Sequence, residues 1–157
     1  MGAKYTAIQI AKYFINKAVK EEDKKLTPLK LQKILYYAQG WYLANFNKPL
    51  FQDRIEAWKY GPAIRSIYKE YEAYGNQPIK DVAIEESELS LIGPNDQKYL
   101  DKIWEFYKDY SASELVASTH NERPWRETRL EIQENVNSDI EIPLTTIKDY
   151  FVELLRE

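Results

Sequence analysis

The chain has no cysteine, one histidine and only five glycines among its 157 residues. Without cysteine, disulfides, thiolate metal sites and a cysteine nucleophile are all excluded. A single histidine excludes His-rich metal sites and paired acid/base histidines. The glycines, at positions 2, 40, 61, 75 and 93, are isolated from one another, whereas loops that cradle phosphate need them clustered. The composition therefore predicts no metal ion and no nucleotide cofactor.

Long apolar runs are also absent. The longest are only a few residues, and the start of the chain, MGAKYTAIQIAKY, has neither the continuous apolar core nor the small-residue cleavage site of a signal peptide. We therefore expect no membrane association and a cytoplasmic location. A chain of this length suits one domain with one core, so we expect residues 1–157 to form a single domain.

The charge is distributed unevenly along the chain. The net charge is -3, but residues 1–80 hold 14 Lys/Arg against 7 Asp/Glu, hence +7, while residues 81–157 hold 8 against 18, hence -10. Such a division indicates either a basic face for nucleic acid or an acidic partner, or two halves that pack together through complementary surfaces. No basic run exceeds two residues and no RNP-like motif is present, which favours complementary halves.

The clearest periodic pattern begins at Thr27 and Pro28. Threonine caps a helix through its hydroxyl, and proline suits the first helical turn, where its missing N–H would have had no partner. From there a broad apolar face recurs at spacings of three and four residues: Leu31, Ile34, Leu35, Ala38, Trp41 and Tyr42. We expect this helix to lie in the core.

The remaining elements follow from the same rules. Helices are predicted over residues 6–22, from Thr27 to near Asn45, from Pro62 to Tyr74, from Gly93 to near Tyr110, from a Ser111/Glu114 capping box, and from Thr145, with a turn of helix at Pro124. Gly61-Pro62 is expected to end a short extended run from Ile55 to Trp58, and Ile140 to Ile142 suits a short edge strand. Residues 79–84 are expected to be irregular or extended. The fold class is therefore mainly α, a compact domain of five to six helices with a small β element.

Aromatic residues are the main compositional excess, with 13 Tyr, 4 Trp and 5 Phe making 14% of the chain. Tyr and Trp offer large contact area with a polar tip, which suits interfaces as well as cores. Trp58 and Tyr60 stand beside the Gly61-Pro62 break, where burying both is difficult. We expect one of them to contribute to a surface groove. Together with Lys59 and Arg65 they could instead stack nucleic acid bases, a use that no other feature of the sequence supports.

His120 is compatible with three roles. A Ser-His-Asp triad would need a nucleophile elbow of the G-x-S-x-G kind, which is absent, and the H-x-E spacing with Glu122 lacks the cysteine ligands of zinc deaminases. Alternatively, His120 and Glu122 bond the backbone near Pro124-Trp125 and fix that turn onto the core. The third role is contact with a partner.

The order of several motifs is similar to one known family. The run LTPLKLQKILYYAQGWYLA, then LF, IEAWKYGPAIRSIYKEY and YG, and later SASELVASTHNERPW, resembles the Panacea domain. The likeness extends over roughly residues 5–125. The family is often phage-associated and occurs in prophages, and the resemblance implies an antitoxin that neutralises a cognate toxin by direct protein–protein binding.

The resemblance also leaves two alternatives open. One is a proteolytic adaptor that delivers a toxin to a protease, and the other, from a different class, is an uncharacterised enzyme. We expect a binding protein rather than an enzyme, with a toxin protein as partner and with no particular oligomeric state indicated. The hypothesis for the site is a toxin-binding surface formed by Trp58, Tyr60, Arg65, His120 and Trp125, because these bulky or polar-tipped residues cluster at turns rather than on core stripes.

Overall fold

The computed structural model describes residues 2–22 and 24–157, within which eight α-helices and a two-stranded sheet form. In chain order these are α1 (Ala7–Lys20), α2 (Pro28–Phe46), β1 (Glu56–Trp58), β2 (Gly61–Ala63), α3 (Arg65–Tyr71), α4 (Glu86–Leu89), α5 (Pro94–Tyr107), α6 (Ala112–His120), α7 (Arg123–Thr128) and α8 (Leu144–Leu155), with a 3-10 turn over Glu72–Tyr74. No helix in this part of the chain has the length and apolar character needed to cross a membrane.

The mainly α fold class with a small β element is confirmed, but the helix count exceeds the predicted five to six. The additional elements are short: α4 has 4 residues and α7 has 6. The first lies in the acidic stretch where no helix was expected, and the second is the predicted turn of helix at Pro124. Residues 78–85 have no regular structure.

Side-chain caps set the starts of several helices. The Thr27 hydroxyl accepts from the backbone N–H of Lys30 before α2, as predicted. Ser111 and Glu114 form the predicted capping box of α6, in which each side chain bonds the backbone of the other residue. These local bonds satisfy N–H groups that the first turn of a helix leaves without partners.

Helix α2 is the centre of the core and packs against α1, α5, α6 and α8. Its predicted apolar face is buried except for the half-buried Trp41, but so are four polar side chains on its other sides: Lys30, Gln32, Lys33 and Gln39. The helix is therefore surrounded by protein rather than amphipathic. Gly40 allows α8 to pack closely on α2, because the ring of Phe151 in α8 occupies the space where a side chain at position 40 would lie.

The helix predicted from Pro62 to Tyr74 begins only at Arg65, because the residues around Gly61 form a hairpin instead. Gly61 has φ +109°, a conformation that glycine tolerates, and it turns the chain back so that β2 pairs antiparallel with β1. Pro62 pairs with Ala57 in this ladder, on an edge strand where its missing N–H is tolerated. On the other side of β1, the Ala57 N–H donates to Ile140 O over 2.8 Å. The predicted extended segment near Ile140 thus joins the sheet through an isolated bridge.

Ion pairs connect the basic and acidic halves of the chain. Lys12 bonds Glu88 and Lys17 bonds Asp101, each at 2.7 Å, so that α1 is attached to α4 and α5. The structure thus confirms that the two halves carry complementary surfaces. Exposed pairs of this kind contribute little stability individually, so the core remains the main stabilising element.

Replacing Gly40 with alanine should destabilise the protein, although the same change inside most helices stabilises it by about 1 kcal/mol. We expect the free energy of unfolding to fall by about 1–3 kcal/mol, because the added methyl group overlaps the Phe151 ring and overpacks the core. Urea unfolding followed by circular dichroism measures the change. Gly2→Ala is the control, since a side chain there meets nothing within 4 Å. Unchanged or increased stability of Gly40→Ala would contradict the close packing of α2 on α8.

Candidate functional site

A surface groove lies between the first turns of α2, the β1–β2 hairpin and residues 137–139. We call it the aromatic groove, and its volume is about 710 Å³. Its lining combines aromatic, charged, polar and small or apolar residues from four segments: Pro28, Leu29, Gln32, Lys33, Trp58, Lys59, Tyr60, Gly61, Ala63, Arg65, Tyr68, Gly75, Asn137, Ser138 and Asp139. Three of the five predicted site residues, Trp58, Tyr60 and Arg65, are therefore in one cavity.

Trp58 is held in place by a network centred on the buried carboxylate of Glu56. The indole N–H donates to Glu56 Oε1 over 2.7 Å, and Arg65 donates to the same oxygen over 3.0 Å. The Arg65 guanidinium also lies over the indole, 5.4 Å from its centroid, while the ring of Tyr68 meets the indole edge to face at 5.3 Å. Arg54 bonds the other oxygen of Glu56 at 3.3 Å. These contacts fix one wall of the groove.

Tyr60 lies at the tip of the hairpin and is 59% exposed. The Lys59 ammonium lies 5.2 Å from the centroid of the Tyr60 ring, in a cation–π arrangement. The two residues occupy the turn between β1 and β2. Tyr60 is thus a large aromatic side chain held in solvent by a tight turn, and it is available for contact with another molecule.

Trp125 and His120 lie behind the hairpin and do not line the groove. Trp125 is only 5% exposed, and its indole N–H donates to the carbonyl of Trp58 over 2.7 Å. The His120 ring stacks on Trp125 with a centroid distance of 4.0 Å and an interplanar angle of 6°. Partial burial lowers the pKa of His120, an effect that a hydrogen bond with the Lys59 backbone opposes. The two residues support the strand that carries Trp58.

Arg129 is a buried neighbour of the candidate site that the sequence analysis missed. Its guanidinium lies 5.1 Å from the centroid of the Trp125 ring and donates to the Ala57 carbonyl over 2.8 Å. It also bonds the carbonyl of Val136, which ties the segment leading to the groove to β1. Arg129 is 4% exposed, so its charge is used internally. It lies in a polar stretch with no periodic pattern, and no signal in the sequence distinguishes it from a surface arginine.

Lys33 lies under the aromatic groove and is 1% exposed. Its ammonium group donates to the Pro62 carbonyl over 2.9 Å, and Gly61 passes so close that a side chain there would collide with Lys33 and Thr119. Burial lowers the pKa of Lys33 to about 7. The lysine thus connects α2 to β2 and forms the floor of the groove.

Glu122 has a different role from the predicted one. Its carboxylate accepts from the hydroxyls of Tyr36, Tyr37 and Ser118, instead of bonding the backbone at the Pro124 turn. Burial raises the pKa of Glu122. The sequence analysis missed this environment because two of the three partners, Tyr36 and Tyr37, come from α2, which is distant along the chain.

The arrangement in the aromatic groove is suited to recognition of a protein surface. Aromatic residues and arginine are the types enriched at the centres of protein–protein interfaces. Within residues 2–22 and 24–157, no group of three or more His, Asp or Glu is arranged to hold a metal ion. The groove offers aromatic contact area together with the side chains of Arg65, two lysines and Asp139.

Comparison with known proteins gives two matches. A family model described as "Antitoxin SocA-like, Panacea domain" matches residues 31–126, a range that contains the β1–β2 hairpin, Trp58 and Trp125. The chain is 34% identical over 112 residues to Antitoxin SocA of Caulobacter vibrioides (strain NA1000 / CB15N), an alignment that spans 66% of this chain and 60% of that protein's length. No solved structure matches significantly.

Substituting Lys33 by methionine should remove a pH dependence of stability. The ordinary pKa of lysine is 10.5, whereas that of Lys33 in the folded chain is about 7. Between these values the unfolded state binds a proton that the folded state lacks. The free energy of unfolding therefore rises with pH, by up to about 1.4 kcal/mol per pH unit.

Urea unfolding of wild type and Lys33→Met at several values between about pH 7 and about pH 9, below the range where tyrosines titrate, measures this slope. As the pH rises, the free energy of unfolding of wild type should increase relative to that of Lys33→Met. Lys25→Met, at an exposed lysine, is the matched control and should run parallel to wild type. Equal slopes for wild type and Lys33→Met would show that Lys33 is not buried as described.

Proposed function

The chain belongs to the SocA-like antitoxin family with a Panacea domain, and from that premise we propose that it neutralises a protein toxin by binding directly to it. The aromatic groove is the observation that carries this proposal. It places Trp58, Tyr60 and Arg65 together on the surface, inside the range that the family model matches. The proposal assigns these three residues to toxin contact and assigns His120 and Trp125 to the support behind them.

The chemistry of the groove favours a protein partner. Tyr60 presents a large exposed ring, and Arg65, with about half of its side chain exposed, combines a charge with a flat apolar surface. Residues of these types contribute most of the binding energy in many interfaces. Because Asp139 and Arg65 both line the groove, 3.8 Å apart, both signs of charge are available to a partner, an arrangement that suits a protein surface better than a phosphate backbone.

The groove is also pre-organised for binding. Trp58 is fixed by Glu56, Arg65 and Tyr68, and its own carbonyl is bonded by Trp125. Side chains that are already ordered lose less conformational entropy when a partner binds. A rigid aromatic wall therefore supports tight binding by a small contact area.

Direct binding suits neutralisation in two ways. A bound antitoxin can cover the toxin's active surface, or it can act as an adaptor that presents the toxin to a protease. Both use the same interface, so the fate of the toxin distinguishes them. We favour blocking, because the groove supplies a binding surface by itself and needs no further component.

Tyr60→Ala should abolish or strongly weaken neutralisation while the protein remains folded. Loss of an exposed aromatic anchor at the centre of an interface typically weakens binding by about 30-fold or more. The test is co-expression with the product of the gene adjacent to this chain's own gene, scored for growth, followed by co-purification and by the thermal midpoint of each variant. Leu130→Ala, at a residue 82% exposed and outside the groove, is the control for removing an exposed apolar side chain.

Arg65→Ala should act in the same direction, with Arg126→Ala as the matched control at another exposed arginine. Arg65→Ala also removes a partner of the buried Glu56, so its thermal midpoint must be compared with that of wild type. Retained neutralisation in both Tyr60→Ala and Arg65→Ala would remove the groove from the proposal. Rescue of growth with falling toxin levels and no stable complex would indicate an adaptor. The proposed function would be overturned if the product of the adjacent gene were not toxic, or if this protein never bound it.

A further inference from the structure

A second cavity, which we call the acidic pocket, lies where α2, α5, α6 and α8 meet. Its volume is about 470 Å³, and six aromatic side chains line it: Tyr37, Trp41, Phe106, Tyr107, Tyr110 and Phe151. Phe106 is 65% exposed at the rim, whereas Phe151 is fully buried at the base. Exposed rings above a cavity that has buried rings at its base are typical of a binding site rather than of a closed core.

Glu122 lines this cavity, and its carboxylate bonds other residues of the lining. Its Oε2 accepts from Tyr37 over 2.7 Å and from Ser118 over 3.1 Å, while Oε1 accepts from Tyr36 over 3.1 Å. An ionised carboxylate has room for about four such bonds. Oε1 therefore keeps one acceptor position beyond the bond from Tyr36.

Within residues 2–22 and 24–157, no lysine or arginine bonds the Glu122 carboxylate or lines the pocket beside it. The pocket lining contains Glu114 as a second acid and no lysine or arginine. Burial raises the pKa of Glu122, and the three hydroxyls that bond the carboxylate only partly oppose this effect. The neighbouring Arg123 bonds Glu153 at 2.8 Å instead. A half-buried carboxylate without a counter-ion is unfavourable, and an incoming cation would offset that cost.

We propose that the acidic pocket accepts an arginine side chain of the bound toxin, a proposal that rests on the proposed function. The occupant follows from charge and shape. The pocket offers a carboxylate, a second acid at its rim and aromatic rings, and a guanidinium group bonds the first and packs flat against the last. A guanidinium is also more weakly hydrated than an ammonium group, so it enters a ring-lined cavity at lower cost. Arginine is therefore preferred over lysine.

The pocket can be tested without any toxin by titrating the protein with N-methylguanidinium chloride. The four tryptophan indole N–H groups give separate NMR signals, and among the described lining residues Trp41 is the tryptophan of this pocket, where it donates to Tyr107 over 2.9 Å. We expect a saturable shift of the Trp41 signal, with the other three signals unchanged. Sodium chloride at equal ionic strength is the control. Glu122→Gln should weaken binding by about tenfold or more, since a charged acceptor is replaced by a neutral one.

Two variants then test the pocket in the toxin complex. Glu122→Gln removes the charge and Phe106→Leu removes an exposed ring while keeping its apolar bulk. Their matched controls are Glu131→Gln and Phe46→Leu, at an exposed acid and an exposed phenylalanine outside the pocket. We expect both pocket variants to lose affinity for the toxin by about tenfold, with both controls unchanged.

The outcomes separate this inference from the proposed function. No saturable shift of Trp41, or an equal shift in Glu122→Gln, overturns the pocket. The pocket would bind a guanidinium group but no arginine of the toxin if the Trp41 shift saturates and both pocket variants still neutralise fully. If Tyr60→Ala fails to neutralise in the same assay, the proposed function is supported. If wild type does not bind the neighbouring gene product, the toxin is removed from the inference, and the titration alone decides whether the pocket takes a guanidinium group.

Discussion

The structure depends on polar bonds that α2 makes from inside the core. Gln39 bonds the backbone of Leu50 and Phe51, with distances of 2.7 and 2.9 Å for its two shortest contacts. Gln32 donates to the carbonyl of Ile64 over 3.0 Å and accepts from the N–H of the same residue over 2.8 Å. With the bond from Lys33 to Pro62, these contacts replace water for backbone groups of residues 50–64, the segment that contains the hairpin and packs on a buried helix.

This constraint places both cavities on one rigid support. The first turns of α2 contribute Gln32 and Lys33 to the aromatic groove, and later turns contribute Tyr37 and Trp41 to the acidic pocket. Because α2 is enclosed by other elements, neither set of residues can move without disturbing the core. The two cavities differ in charge, since the groove contains lysine and arginine and the pocket only acids among its charged lining residues. A partner that used both would be recognised by two unlike contacts at a defined separation.

Local signals accounted for much of the fold and for part of the candidate site. The start of α2 at Thr27-Pro28 and the capping box at Ser111 depend on bonds within a few residues, so the sequence contains the whole interaction. The turn at Gly61 was also marked in the sequence, but its consequence was misassigned: Pro62 entered an edge strand instead of a helix, because the pairing partner of β2 is decided by packing. Likewise, the sequence indicated that Trp58 and Tyr60 are difficult to bury together. It did not indicate which of the predicted site residues face solvent.

The sequence by itself determined the helical class, the positions of most caps and breaks, and the complementary charges of the two halves, since each depends on residue type and short-range spacing. Only the tertiary structure decided that Trp125 lies behind Trp58, that Glu122 is enclosed by hydroxyls of α2, and that Lys33 is buried. These environments arise from residues far apart in the chain. Burial and hydrogen-bond partners are properties of packing. No sequence pattern distinguishes an arginine or glutamate that is solvated from one that is enclosed.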